Sequence, residues 1–219
     1  MIIIILGVLC LVFFIENVRE LRTFRIRTYR IFSHKLKGIQ KKRIVFLSDL
    51  HNCSYGKNNG RLLAAVRRSR PDLILIGGDM LVRKNGTSYA KTLKFLTRLT
   101  AMCPVYYANG NHEQKLKEEP ERYEQSYAAY KKHLEEAGII FLENEAVIWK
   151  TGRARIRISG LEIPLSAYEK LGKRKLSVRQ IEDRIGRSDP SYQILLAHNP
   201  AYVQQYEAWG ADLVLSGHV

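Results

Sequence analysis

The chain has 219 residues, 46% of them hydrophobic, enough to bury the core of one large domain or two small ones. Its formal charge of +15 is concentrated at the N-terminus, where residues 1–43 hold ten Lys or Arg against two Glu, so the rest carries a modest excess. Three cysteines, Cys10, Cys53 and Cys103, show no CxxC spacing and cannot all pair, which argues against a disulfide framework and leaves them as reduced thiols.

The first fifteen residues, MIIIILGVLCLVFFI, carry no charge. As a helix they reach about 22 Å at ~1.5 Å per residue, against a hydrocarbon core of roughly 30 Å. No basic residues precede them and no A-x-A-like cleavage site follows, so a signal peptide is not indicated. The expectation is an N-terminal membrane anchor over residues 1–18, in a single-pass protein of the cell membrane. A basic juxtamembrane segment over residues 19–42 follows, with Arg19, Arg22, Arg25, Arg27 and Arg30 and then Lys35, Lys37, Lys41 and Lys42. By the positive-inside tendency it puts the domain on the cytoplasmic side, and it matches an acidic bilayer surface. Nucleic acid is the competing partner for such a run, but no base-reading or stacking pattern accompanies it. Within this segment TFRIRTYRIF (23–32) alternates arginine with aliphatic or aromatic residues, which predicts an edge strand.

From residue 43 the pattern changes to strand, helix, strand, helix. RIVFLSD (43–49), DLILIGGD (72–79) and PVYYANGNHE (104–113) read as apolar strands that end in polar groups. Helices are predicted over 61–70, with Asn58 or Asn59 as N-cap, over 88–100, and over 121–138 with Gly138 at the C-terminal end. This order argues a mainly parallel sheet of βαβ units. IIFLE (139–143), AVIWK (146–150) and ARIRIS (154–159) are so closely spaced that they predict antiparallel hairpins. Residues 161–190 read as loop and short helix, followed by strands YQILLAH (192–198) and DLVLSGH (212–218) around a helix at about 200–209. No repeat, low-complexity tract or second domain is visible.

Seven chemistry-bearing side chains fall at five strand ends: Asp49 and His51, Asp79, Asn111 and His112, His198, and His218. In open α/β sheets the carboxyl ends of the strands are where ligands bind. Taken singly, His198 reads as a core histidine, Asp49 as a helix cap and Asp79 as a turn residue. Their coincidence at five strand ends is what points to a site. Imidazole, carboxylate and amide oxygen without thiolate suit Mn²⁺, Fe or Zn²⁺. Six or seven donors exceed one tetrahedral zinc, whereas two ions sharing a carboxylate would use them and could clamp an in-line displacement at phosphorus. Phosphate-ester hydrolysis is the reaction class this arrangement suggests.

The set D-L-H (49–51), G-G-D (77–79), G-N-H-E (110–113), His198 and S-G-H (216–218) resembles the calcineurin-like metallophosphoesterase superfamily over residues 43–219. The apolar start, the D-L-H-N stretch and the P-V-Y-Y before G-N-H-E resemble its membrane-anchored bacterial branch. The resemblance implies an α/β fold, an αββα two-sheet sandwich with mixed sheets behind the N-terminal membrane helix. It implies two divalent metal ions, with Asp49 and His51 on the first, Asp79 bridging, and Asn111, His198 and His218 on the second. His112 becomes the catalytic residue that stabilises the transition state or protonates the leaving group. The implied nucleophile is hydroxide supplied by the metal pair, and the implied partner is a phosphate-ester substrate, lipid-linked if the enzyme works at a bilayer.

Two departures stand out. Many relatives carry G-D-x-x-D, whose second Asp orients the catalytic histidine; Val82 occupies that place here, so His112 lacks that carboxylate. Arg83 follows and reads as a phosphate contact or a solvated arginine. The family motif G-H-x-H is also interrupted, since the chain stops at Gly217-His218-Val219. The expectation is therefore a domain incomplete at its C-terminus, with a weakened first metal site and weak activity. The alternative function is a non-catalytic binding module of the same fold at the membrane, against which the ligand set and His112 both speak. Substrate-contacting loops are expected at 52–60, 83–90, 114–120 and 161–190.

Overall fold

A computed structural model describes residues 2–21, 23–124, 126–168 and 176–218. Helix α1 (Ile2–Leu21) comes first, and an irregular segment connects it to the domain. Sheet one is β1 (Ile44–Leu47), β2 (Leu73–Ile76), β3 (Val105–Tyr107) and β4 (Ile139–Phe141), in that order and wholly parallel. Sheet two is β5 (Glu145–Thr151), β6 (Ala154–Leu161), β7 (Tyr192–Ala197) and β8 (Leu213–Leu215), with β5 antiparallel to β6 and the rest parallel. Helices α2 (Gly60–Ser69), α3 (Ala90–Thr97), α4 (Asn111–Glu118) and α5 (Tyr127–Glu136) belong to the first half, α6 (Val178–Ile185) and α7 (Val203–Trp209) to the second.

Three apolar clusters make this a four-layer sandwich. Leu73 and Leu75 of β2 meet Ile156, Ile158, Ile194 and Leu196 of β6 and β7 between the sheets. Ile74 and Ile76, the alternate residues of β2, face Leu62, Leu63, Phe95 and Leu96 of α2 and α3. Leu161 and Leu195 pack under Ile181, Tyr206 and Trp209 of α6 and α7. A strand covered on both faces has no polar side to present, hence the unbroken run LILI.

Several sequence expectations are corrected. Residues 23–33 join neither sheet: Ile26, Tyr29, Ile31 and Phe32 stay exposed, so the alternation finds no face to bury. The hairpin expected between 139–143 and 146–150 is absent, because β4 pairs in parallel with β3. The chain then crosses to the other sheet through Leu142, fully buried between them, and Asn144 at φ 56°. The stretch 114–120 is mostly helix α4 rather than loop. Asn59 precedes α2 but does not cap it; its buried side chain accepts from the Tyr55 amide at 2.7 Å and donates to the Cys53 carbonyl at 3.3 Å. Residues 169–175 of the expected substrate-contacting loop lie outside the described residues, as does Arg22.

The membrane-spanning expectation meets a length limit. Among the described residues no helix is long and apolar enough to cross a membrane. The uncharged part of α1 ends at Glu16, well before a bilayer core is traversed. Its apolar side chains are nonetheless uncovered, with Leu6, Leu9, Leu11, Val12, Phe13, Phe14 and Ile15 all exposed.

A polar network ties the two sheets behind the strand ends. Lys117 of α4 donates to Glu143 at 3.0 Å, after β4, and to Glu162 at 2.9 Å, after β6. Asn109, two residues before Asn111, donates to Glu162 at 2.8 Å and to the Tyr127 hydroxyl at 2.7 Å. The turn that carries G-N-H-E thus rests on both halves of the sandwich.

Candidate metal centre

The ends of β1, β2, β3, β7 and β8 converge, and they bring six of the predicted residues around Asp79. His198 Nε2 lies 3.2 Å from Asp79 Oδ2, His51 Nε2 3.9 Å and His112 Nε2 4.0 Å. Asp49 Oδ1 lies 3.6 Å from His51 Nε2 and 3.9 Å from His198 Nε2. Two metal-sized groups share the Asp79 carboxylate: His51, Asp79 and His112 on one side, Asp79, His198 and His218 on the other. Asp79, expected to bridge, is the residue the two groups have in common. The grouping differs in detail, since His112 rather than Asp49 completes the first triplet, with Asp49 at its edge. Asn111, at the start of α4, is buried with Oδ1 unpartnered.

The backbone that presents these groups is strained. Asp49, His51, Asp79 and His218 all have positive φ, at 55°, 47°, 52° and 57°, a region L-residues occupy at a cost of roughly 1–3 kcal/mol each. Cross-strand bonds hold them there. The amides of Asp49 and His51 donate to the carbonyls of Gly78 and Asp79, both at 3.0 Å, and the His218 amide donates to Asp49 Oδ1 at 3.2 Å. Gly78, at φ 89°, is pressed against the G-N-H turn so closely that a Cβ would sit 2.0 Å from the Gly110 nitrogen.

Glu113, which sequence reasoning assigned no role, is the fully buried fastener of this packing. Its carboxylate accepts from the amides of Asp79 (2.8 Å), Met80 (2.9 Å) and Gly110 (3.1 Å) and from the Tyr107 hydroxyl (2.8 Å), itself 3.0 Å from the Tyr130 hydroxyl. Burial, helped by the Asp79 charge, raises Glu113 to about 7 despite those donors. A carboxylate three residues into a helix and following a Gly-Asn turn was the signal available. Tyr168 was also missed; its ring lies 5.1 Å from that of His218.

The donor set fits a cation. His198 Nδ1 lies 2.7 Å from the Gly77 carbonyl, which can only accept, so Nδ1 carries a proton and Nε2 is the ring atom turned toward Asp79. Despite the 3.2 Å approach, His198 Nε2 makes no hydrogen bond, as the alignment is wrong. Ring nitrogens of four histidines gather round the Asp79 carboxylate in two metal-sized groups, and Asn111 Oδ1 is buried without a hydrogen-bond partner, a set of nitrogen and oxygen donors that suits a cation. Burial disfavours charge on His198, yet Asp79 and the Gly77 carbonyl outweigh it and raise its pKa. Asp49 is held at about 2 against the cost of burial by His51 and Ser48 beside it.

His112 is oriented by an unexpected partner. The Arg83 amide donates to His112 Nδ1 at 3.1 Å, so a main-chain group holds the ring where the resemblance led one to expect a carboxylate and Val82 stands instead. An N–H donor makes Nδ1 the acceptor, so the proton of the neutral ring sits on Nε2, toward Asp79. Burial above all, with the charges of Arg83 and His51, lowers His112 to about 4 against the pull of Asp79. At neutral pH His112 is therefore an uncharged donor at Nε2. A separate groove of about 1620 Å³ runs along β1 and β8 and touches the centre only at Ser48 and Asp49; its lining is mainly apolar, so the chemistry lies in the crevice instead.

A four-layer sandwich with a crevice of convergent metal-type ligands at its strand ends has the build of a metallohydrolase. Residues 42–219 match the family model for calcineurin-like phosphoesterase, and the chain belongs to that family. It is 29% identical over 184 residues to the uncharacterized metallophosphoesterase YkoQ of Bacillus subtilis (strain 168), covering 84% of this chain and 62% of that protein. It is 27% identical over 180 residues to phosphodiesterase YaeI of Escherichia coli (strain K12), covering 80% and 59%. The chain thus spans about three fifths of the length of these relatives. Among solved structures, the phosphopantetheinyl hydrolase PptH of Mycobacterium tuberculosis shares the fold, with TM-score 0.51 and 15% identity over 80% of this chain and 82% of that one.

The fastening by Glu113 is directly testable. Glu113→Ala strands three amides and a hydroxyl, and should lower the stability in urea by about 3 kcal/mol or more. Tyr130→Phe, which removes one outer hydrogen bond, should cost about 1 kcal/mol. Equal costs would mean that the carboxylate is not the fastener.

Proposed function

We propose that the protein is a phosphoesterase that works with two divalent ions, each side of Asp79 holding one. The observation that carries this reading is that two metal-sized groups of side chains, His51 with His112 and His198 with His218, share the one Asp79 carboxylate. Asp49 and His51 would hold the first ion, Asn111, His198 and His218 the second, and Asp79 both. Mn²⁺, Fe and Zn²⁺ all suit these ligands. Such a pair supplies Lewis acidity to the phosphoryl oxygens and makes water acidic enough to react near neutral pH.

The chain's own groups supply position and a hydrogen-bond donor. Asp79, with its amide held by Glu113 and its Oδ1 by the His112 amide at 2.9 Å, fixes the centre of the crevice. His112 presents Nε2–H over that centre, where as a neutral ring it can donate a hydrogen bond to a phosphoryl or leaving-group oxygen while keeping its proton. Phosphate esters are the substrate class, and the phosphodiesterase name of the Escherichia coli relative favours diesters.

The exposed apolar side chains of α1, followed by exposed Arg25, Arg27 and Arg30, support attachment to an acidic bilayer surface. The expected result is co-flotation with phosphatidylglycerol vesicles and release by a deletion of residues 2–32; flotation unaffected by that deletion would refute the attachment.

The activity is tested on bis(p-nitrophenyl) phosphate with added Mn²⁺. The wild-type chain should hydrolyse it, and Asp79→Asn should lower kcat/KM by at least ~10²-fold as the shared ligand is weakened. Metal binding without turnover of phosphodiesters or monoesters would favour a binding module instead.

A further inference from the structure

The histidines of the crevice differ in what steadies their rings. His198 Nδ1 meets the Gly77 carbonyl and His112 Nδ1 the Arg83 amide, both at hydrogen-bond distance. A metal-binding imidazole is ordinarily fixed in this way, through the nitrogen that faces away from the ion. His218 departs from that pattern. Among the described residues neither of its ring nitrogens makes a hydrogen bond, and only its main-chain amide is engaged, at Asp49 Oδ1. It is also the exposed member of its group, whereas Asp79 and His198 are buried. What packs against it is Tyr168, the last residue of a single helical turn, Leu165–Tyr168, after β6. The two rings meet edge to face, with centroids 5.1 Å apart and planes at 75°. The His198 ring completes the cluster, 5.5 Å from His218 and 6.3 Å from Tyr168. Tyr168 is seated from the strand end that carries His198: the neighbouring Ala167 carbonyl accepts from Nδ2 of buried Asn199 at 3.3 Å and from the Tyr202 hydroxyl at 3.1 Å. Its own hydroxyl makes no hydrogen bond among the described residues, so what it offers His218 is the ring.

We propose that Tyr168 is a positioning residue whose ring takes the place of the missing hydrogen bond and holds the His218 imidazole toward Asp79, so that the second ion finds its ligand already in place. An edge-to-face pair fixes the plane of a ring as well as its position, which contact with an aliphatic side chain does not. The proposal rests on the two-ion reading for the role of His218, but not for the contact between the rings. It gives the segment after β6 a part in the metal centre, through an aromatic ring rather than a ligand atom.

The test is a calorimetric titration of Mn²⁺ into the metal-free full chain, as wild type, Tyr168→Leu and Tyr168→Phe. Leucine keeps an apolar group against the cluster under α6 and α7, and phenylalanine keeps the ring as well. Tyr168→Leu should weaken one of the two binding steps by about tenfold and leave the other unchanged, while Tyr168→Phe binds as the wild type does. In a His218→Ala background, Tyr168→Leu should cause no further loss. A loss spread evenly over both steps, a phenylalanine variant as weak as the leucine one, or additive losses with His218→Ala would overturn the proposal. A second readout needs no metal. In nuclear magnetic resonance spectra of the metal-free chain, the carbon-bound ring protons of His218 should shift in Tyr168→Leu but not in Tyr168→Phe, with those of His51 unmoved. If the wild type binds fewer than two ions, the two-ion reading fails and these shifts alone decide on Tyr168: unmoved His218 signals in Tyr168→Leu would overturn it.

Discussion

The structure depends on one carboxylate that takes no part in the chemistry. Glu113 draws the turn after β2 and the turn after β3 together by accepting from three main-chain amides, two of them on one turn and one on the other. With the β2–β3 pairing and the bond from the His112 amide to Asp79, this brings Gly78 and Gly110 so near that neither tolerates a Cβ. The consequence is geometric: Asp79 and the Asn111–His112 pair, far apart in sequence, become neighbours in one crevice. A fully buried carboxylate is expensive alone, and the amides and the Tyr107 hydroxyl offset that cost.

That fastening sustains a site that works against local stability. Four of the candidate ligands sit at positive φ, and Asn111 Oδ1 and His198 Nε2 are buried without a hydrogen-bond partner. Backbone strain and a buried unpartnered acceptor both weaken the folded chain, which is the usual trade between a functional site and the scaffold around it. The continuous apolar strands β2 and β7, buried on both faces, supply the rigidity to hold such a site. The ligands stand at strand ends because only there does the chain leave the hydrogen-bonded ladder and turn.

The strand ends and their ligands were legible in the sequence because each apolar run stops abruptly at a polar residue. Burial on both faces makes such runs continuous, and glycines beside Asp79 and His112 mark the sharp turns. The pairing partners were less legible. Short gaps around 144 suggested hairpins, but Leu142 carries the chain from one sheet to the other, a choice made by the inter-sheet core rather than by the turn. The arginine-rich alternation at 23–32 mimicked a strand because period two appears whether or not a face is buried. The orientation of His112 was invisible for a different reason: its partner is a main-chain amide, and the side chain at position 83 does not encode that contact.

The central claim is that Asp79 is shared by two cations. Anomalous diffraction from crystals soaked in Mn²⁺ tests it most directly. The account predicts two peaks roughly 3.5–4 Å apart, one on each side of the Asp79 carboxylate, with His51 beside the first and His198 beside the second. A single peak that leaves either histidine without a metal, or peaks remote from Asp79 at saturating Mn²⁺, would contradict it.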